Sequence, residues 1–364
     1  MMISIVRARA YRGRALMFGV LVAVFGTSQA FAQDSTAGRL LPPIENHGFL
    51  QVYYREGDPL NKDGYRLRKA DFKFNGSLSP RLKWRISFDA AKAFALNTAS
   101  GDVSDTAVVT GVSFDQKSRM LQDAALTYSL TNRLNLDIGQ QIVPLGLEAT
   151  TSSSVLETIE RANFEAERSR AVGLGDVRDV GVSANGNLPI GVEYHVGMFN
   201  EMGDDQGTTD ANDQKAVLAR LAYHVPVVPG LQFGGTGGWE PGPVNQRKQR
   251  AATEAEYRNT LFTLRAETMA ARDGLLRRFG WYWLGALRPT KELQLVARYD
   301  SWDRDRSAES ALTNAFERQE VVGGSYWLEN GVAKIALNVV HQTFPNVPSI
   351  RRGTFALLAF QGIW

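Results

Sequence analysis

The chain has 364 residues, with 41 Lys and Arg against 38 Asp and Glu, no cysteine, 44% hydrophobic and 10% aromatic residues. Four Arg and no acid lie in the first 32 residues; without them 37 basic and 38 acidic side chains leave a net charge of −1, which is no mark of nucleic-acid binding. The absence of cysteine excludes a small stapled scaffold, and past residue 32 nothing approaches the roughly 18 consecutive apolar residues of a helical membrane span.

Arg7, Arg9, Arg12 and Arg14 precede the apolar run Ala15 to Gly26, and Ala30-Phe31-Ala32 follows as a small-residue cleavage site. Residues 1–32 therefore read as an export signal. The 332 residues left are enough for two soluble domains or one large barrel. An exported, moderately polar chain rich in Gly and aromatic residues fits a transmembrane barrel, whose strands need only about ten alternating residues each. Residues 33–46 are then expected to be an N-terminal periplasmic segment and residues 47–364 the barrel.

The first strand, about His47 to Arg55, sets Leu50, Val52 and Tyr54 against Gln51, Tyr53 and Arg55. From Arg68 to Gly76, Ala70, Phe72 and Phe74 oppose Lys69, Asp71, Lys73 and Asn75. After Ser79-Pro80, Leu82, Trp84, Ile86 and Phe88 alternate with Arg81, Lys83, Arg85, Ser87 and Asp89, the cleanest two-residue period in the chain. Two runs joined by Thr131 and Asn132 come next, Leu121 to Leu130 and Arg133 to Ile142, and then a polar stretch from Val143 to Arg178, too long for an ordinary loop. It is expected to fold inward as a constriction.

Short connections at Ser79-Pro80, Thr131-Asn132, Leu188-Pro189, Pro226 to Gly230, Arg258 to Thr260, Pro289 to Glu292 and Glu329 to Gly331 alternate with longer polar ones. The longer ones include Ala91 to Arg119, Glu240 to Thr253 and Ala270 to Arg278. This alternation predicts an all-β, antiparallel transmembrane barrel of about sixteen strands, with short turns and both termini on the periplasmic side. The tenth strand, Glu254 to Arg258, is expected to be short, and the twelfth, Phe279 to Arg288, leaves open whether Trp281 and Trp283 or Tyr282 and Leu284 face outward. The final strand carries Leu358, Phe360 and Trp364 in one phase, which in a soluble sheet would be an aggregation hazard.

Leu121-Gln-Asp-Ala-Ala-Leu-Thr-Tyr128, Ile138-Gly-Gln-Gln-Ile-Val-Pro-Leu-Gly-Leu147, the Thr150-Thr-Ser-Ser-Ser run and Arg178-Asp-Val-Gly181 follow one another in an order that resembles the porin O and P family of phosphate-selective porins. Arg66-Leu-Arg-Lys-Ala-Asp71, Val196-Gly-Met-Phe-Asn200 and Leu295-Val-Ala-Arg-Tyr-Asp300 resemble other parts of that family. The resemblance implies a sixteen-stranded trimeric barrel in the bacterial outer membrane, a third loop folded into the lumen, and passage of anions past lumenal arginines and lysines. Outer-membrane lipid and lipopolysaccharide would surround it.

If the apolar phase faces lipid, the candidate pore-lining basic residues are Lys69, Lys73, Arg81, Lys83, Arg85, Arg265 and Arg298, near-balanced by acids such as Asp71, Asp89, Asp137, Glu267 and Asp300. Five of these cations lie on the adjacent second and third strands, a positive stripe down one wall, although pairs such as Lys69 with Asp89 would neutralise part of it. The candidate constriction residues are Glu148, Glu157, Glu160, Arg161, Arg168 and Arg170; the stretch 143–178 has no lysine and a net charge of −2. A lysine ring for phosphate cannot come from it. Its acids facing Arg81, Lys83 and Arg85 would instead make a transverse field suited to small polar solutes.

No nucleophile elbow, P-loop, dinucleotide glycine pattern or zinc-spaced histidine pair is present, so neither an enzyme nor a cofactor or metal site is expected. The expected function is an outer-membrane porin for small polar or anionic solutes, phosphate-type anions among them. The alternatives are a secreted soluble β-rich binding protein and an outer-membrane barrel hydrolase.

Overall fold

The computed structural model describes residues 44–58, 63–92, 95–99, 108–113, 120–165, 174–202, 213–306, 316–346 and 353–364. The strands are Glu45–Glu56 (β1), Gly64–Ser77 (β2), Leu82–Asp89 (β3), Ala95–Ala99 (β4), Val108–Ser113 (β5), Leu121–Thr131 (β6), Leu134–Ile142 (β7), Arg178–Asn187 (β8) and Val192–Phe199 (β9). They continue as Ala216–His224 (β10), Leu231–Glu240 (β11), Lys248–Arg258 (β12), Phe262–Asp273 (β13), Leu276–Leu287 (β14), Leu293–Asp303 (β15), Phe316–Leu328 (β16), Ala333–Thr343 (β17) and Gly353–Ile363 (β18). Sixteen of them close into one antiparallel barrel in which every strand pairs with its neighbours in chain order; β4 and β5 form a separate hairpin in the connection from β3 to β6.

β1 and β18 close the cylinder from Phe49 opposite Ile363 to Glu56 opposite Ala356. The seam ends where Gly48 N–H donates to the Trp364 carbonyl at 2.9 Å and Trp364 N–H returns a bond to the Gly48 carbonyl at 3.1 Å. A Cβ at position 48 would overlap the Trp364 ring, so the seam needs glycine there. Pairing of the first and last strands puts the two ends of the barrel on one rim, as an even strand count requires.

The alternation separates two faces. Phe72, Ile86, Ile138, Phe233, Leu264, Leu295 and Phe360 are exposed on the outer wall, while Lys69, Asp89, Asp137, Arg265, Glu267, Arg298 and Asp300 are buried on the inner one. That is inside-out relative to a soluble protein and suits a wall with lipid outside and water within. Trp281 and Trp283 are 36% and 50% exposed and Tyr282 and Leu284 each 1%, which settles the outward face of β14. The reason is polar: the Tyr282 hydroxyl donates to Glu267, a partner that exists only inside.

Three expectations change. The tenth barrel strand, β12, begins at Lys248, six residues sooner in pairing with β11 than its apolar signal suggests, because Ala251, Thr253 and Ala255 fill its outward phase with small side chains. The stretch Ala270 to Arg278 is no long loop: β13 and β14 pair up to Asp273 and Leu276 around Gly274. In β2 the pairing slips between Gln51 and Val52 of β1, so Arg68 is an extra residue and points inward together with Lys69. The assigned export signal and the segment up to residue 43 lie outside the described residues.

Candidate functional site

The stretch between β7 and β8 runs across the inner wall of β11 to β18, and its attachments can be followed in order. Leu147 and Glu148 N–H groups donate to the two oxygens of Glu267 on β13, at 2.7 and 2.8 Å. The Gln361 amide of β18 donates to the Ser154 carbonyl at 2.7 Å, and Lys334 of β17 to the Leu156 carbonyl at 3.1 Å. Ile159 N–H donates to Asn338 of β17 at 2.7 Å, and Arg298 of β15 reaches the Thr158 hydroxyl and the Glu160 carbonyl at 2.9 and 2.7 Å. Asn163 donates to Glu317 of β16 at 2.7 Å. Backbone that leaves a sheet must find partners elsewhere, and here the inward side chains of the opposite wall supply them.

Among the described residues, Glu148, Glu157, Glu160 and Arg161 of this stretch are engaged in holding it. Glu157 accepts from Arg258 at 2.7 Å and stands 3.3 Å from Arg265, which also meets Glu256 at 2.6 Å. Glu148 accepts from Ala162 N–H at 2.8 Å, and Arg161 donates to the Glu148 carbonyl and, at 2.6 Å, to the Thr151 carbonyl. Glu160 pairs with Arg68 of β2 at 2.7 Å. Arg168 and Arg170 lie outside the described residues. Among the described residues, the acids of this stretch make no ion pair with Arg81, Lys83 or Arg85; the expected face-to-face arrangement is replaced by pairing with β12, β13 and β2.

Two carboxyls of the stretch are driven in opposite directions. Burial raises Glu165 well above the usual glutamate range, and the neighbouring Glu267 and Glu148 add to it; among the described residues neither of its buried oxygens has a hydrogen-bond partner. Burial acts the same way on Asp176, but Arg178, Lys69 and Arg161 outweigh it and hold Asp176 well below the aspartate range. Lys69 stands 3.8 Å from Asp176 and 3.5 Å from Asp89, and Arg178 2.6 Å from Asp176.

With the stretch bound over β11 to β18, the space it leaves lies on the opposite side. A cavity of about 460 Å³ is bounded by Thr150 to Ser153, Arg161 and Asp176 on one side and by β2, β3 and β6 to β9 on the other. Lys69, Lys73 and Arg85 line it together with Asp71, Asp123, Asp137 and Glu193. Among the described residues Lys73 makes no ion pair, while Arg85 stands 3.7 Å from Asp137. Arg81 and Lys83 are exposed beside the turn at Ser79 and do not line this space. Arg265 and Arg298 lie behind the stretch, on the wall it covers. Among the described residues no group of His, Asp and Glu side chains is placed to hold a metal ion.

Sequence reasoning missed Arg68, because strict alternation assigns it to the lipid face and only the bulge turns it inward. It also passed over the uncharged anchors Asn338 and Gln361, whose signal was a polar residue in the phase opposite Leu337 and Phe360.

Over residues 44–273, well over half the chain, the sequence matches the family described as phosphate-selective porin O and P. No curated protein sequence matches. Among solved structures, the fold is similar to an anion-selective porin from Comamonas acidovorans at 12% identity, covering 88% of this chain and 99% of that one with a TM-score of 0.58. It is also similar to OmpF of Salmonella typhi, at 10% identity, 89% and 98% coverage and a TM-score of 0.61. A trimer form of the outer membrane protein OmpT of Vibrio cholerae gives 13% identity, 89% and 100% coverage and a TM-score of 0.54. The chain belongs to the phosphate-selective porin O and P family and is an outer-membrane channel for small solutes.

Proposed function

We propose that solutes cross this channel by diffusion through the space between Thr150–Ser153 and the wall of β2, β3 and β6 to β9, with residues 143–178 as its constriction and with small polar and anionic solutes, phosphate-type anions among them, as its traffic. The observation that carries this is the asymmetry of pairing: the acids Glu148, Glu157 and Glu160 are tied down by backbone or arginine, whereas Lys73 faces the passage without a counter-ion among the described residues. A lumenal ammonium with no partner offers an anion a favourable site weak enough to leave again. Acids also line the passage, so preference for anions is expected to be moderate.

Export directed by residues 1–32, a short periplasmic segment from residue 33 to the start of β1 and assembly as a homotrimer belong to the same reading. Trimerisation is supported by the solved trimer form of the Vibrio cholerae protein. Lys69, Lys73 and Arg85 are assigned to the passage, Arg265 and Arg298 to holding the constriction. No catalytic chemistry is part of it.

The test is electrical. Purified protein in a planar bilayer under a salt gradient should give a zero-current potential of the sign set by anion preference, and added phosphate should lower the chloride conductance. A clear cation preference eliminates the anion assignment.

A further inference from the structure

The outer wall carries three arginines that the channel does not use. Arg272 of β13 lies directly opposite Arg277 of β14. Both continue the lipid-facing phase of their strands, Arg272 following Leu264, Ala266 and Ala270, and Arg277 preceding Trp281 and Trp283. Arg306, just beyond β15, is 55% exposed, and its guanidinium lies 5.4 Å from the centre of the Phe279 ring, which shares the phase of Trp281. The Arg306 N–H donates to the Arg277 carbonyl at 2.7 Å, so the three side chains leave from one spot.

Two like charges directly across a strand pair destabilise each other unless an anion sits between them. Among the described residues neither Arg272 nor Arg277 has an ion pair, and Arg272 uses only its Nε, on the Gly274 carbonyl at 2.8 Å. The nearest acid by sequence, Asp273, is engaged with Arg250 at 2.7 Å and Arg278 at 3.4 Å. Asp303 stands 3.9 Å from Arg306.

Height along the wall decides which anion fits. From Phe262 to Arg272, at about 3.3 Å per residue and a tilt of about 40°, the chain climbs about 25 Å along the membrane normal, the height of the apolar band. The arginines therefore sit at the far interface, above an aromatic layer in which the Trp281 and Tyr299 rings are 5.3 Å apart. The rim holding the start of β1 and the end of β18 is the opposite one.

We propose that Arg272, Arg277 and Arg306 form an outer-wall site for the phosphate groups of a phosphorylated glycolipid of the outer leaflet, its acyl chains lying against Trp281 and Tyr299. Arg forks suit phosphate oxygens, and the low dielectric beside the acyl region strengthens each contact. This rests on the outer-membrane placement with the start of β1 and the end of β18 on the periplasmic rim. It makes no use of the lumen, so it can fail while the channel assignment stands.

The test titrates the purified full-length protein in detergent with diphosphorylated lipid A and with the same lipid dephosphorylated, counting bound lipid by native mass spectrometry. The phosphorylated lipid is expected to bind about tenfold more tightly, and R272Q/R277Q/R306Q to bring the ratio close to one. Heat-modifiable migration should be kept by that variant; R277Q alone, at an exposed side chain, should lower the ratio about threefold and serves if the triple variant does not fold. Equal binding of the two lipids by the wild type, or an unchanged ratio in the variants, overturns the proposal. Displacement of the lipid by millimolar inorganic phosphate would also overturn it, by assigning the arginines to a free anion.

Discussion

Phe164 stands on Gly280. A Cβ built on that glycine of β14 would lie 2.5 Å from the Phe164 ring, which is fully buried with its centre 5.8 Å from that of Tyr282 and 6.2 Å from that of Trp302. The middle of the stretch 143–178 is thus held by shape, where Leu147 and Glu148 near its start are held by Glu267.

Replacing Gly280 by Val should push the ring out and unseat the stretch. Overpacking of this kind costs about 1–3 kcal/mol, too little to unfold the barrel. The expected outcome is normal heat-modifiable migration together with noisier single channels of altered conductance.

Arg68 joins β2 to the stretch 143–178 through Glu160, with Gln51 as a second acceptor at 3.3 Å. Arg68→Ala should weaken that attachment by about 1–2 kcal/mol, given the partial exposure of Glu160. Arg68→Gln should restore little of it. Channel noise as a function of voltage is the readout, and noise equal to wild type would show that the link carries no load.

Lys73 and Lys83 lie on neighbouring strands, yet of the two only Lys73 lines the cavity. Lys73→Glu should therefore move the zero-current potential toward cations, and Lys83→Glu should move it much less. Equal shifts would place the selective region at the short-turn rim.

The opposed carboxyls give pH dependence at both ends. Asp176 is held below its ordinary range by Arg178, Lys69 and Arg161 against the effect of burial, so its contribution is complete above the ordinary aspartate range and is lost as pH falls through its lowered value. Acidification should then release three cations into the passage and increase anion preference, and Asp176→Asn should show that increase already at neutral pH.

Glu165 behaves in the reverse sense, since burial and then Glu267 and Glu148 raise it. Its stabilising effect is complete at low pH and is lost as pH rises through the raised value, where ionisation adds a buried negative charge beside Glu267 and Glu148. Alkaline pH should increase channel noise in the wild type and leave Glu165→Gln unaffected.

Two-residue periodicity and the alternation of short and long connections made the barrel legible, because a cylinder with lipid outside and water inside must show oil and charge in alternate phases along every strand. Trp84, Ile86 and Phe88 against Arg85, Ser87 and Asp89 is enough to identify such a wall. The limits were equally physical: β12 has an outward phase of Ala and Thr that barely differs from a loop, and β14 has aromatic residues in both phases, so only Glu267 as the partner of Tyr282 decides its orientation. That residues 143–178 depart from the regular wall was legible in their length and polarity, but which wall they would lean on was not. That choice depends on Glu267, Asn338, Arg298 and Gln361 arriving on one side of a closed cylinder, a juxtaposition that exists only once the strands have wrapped around and β18 has met β1.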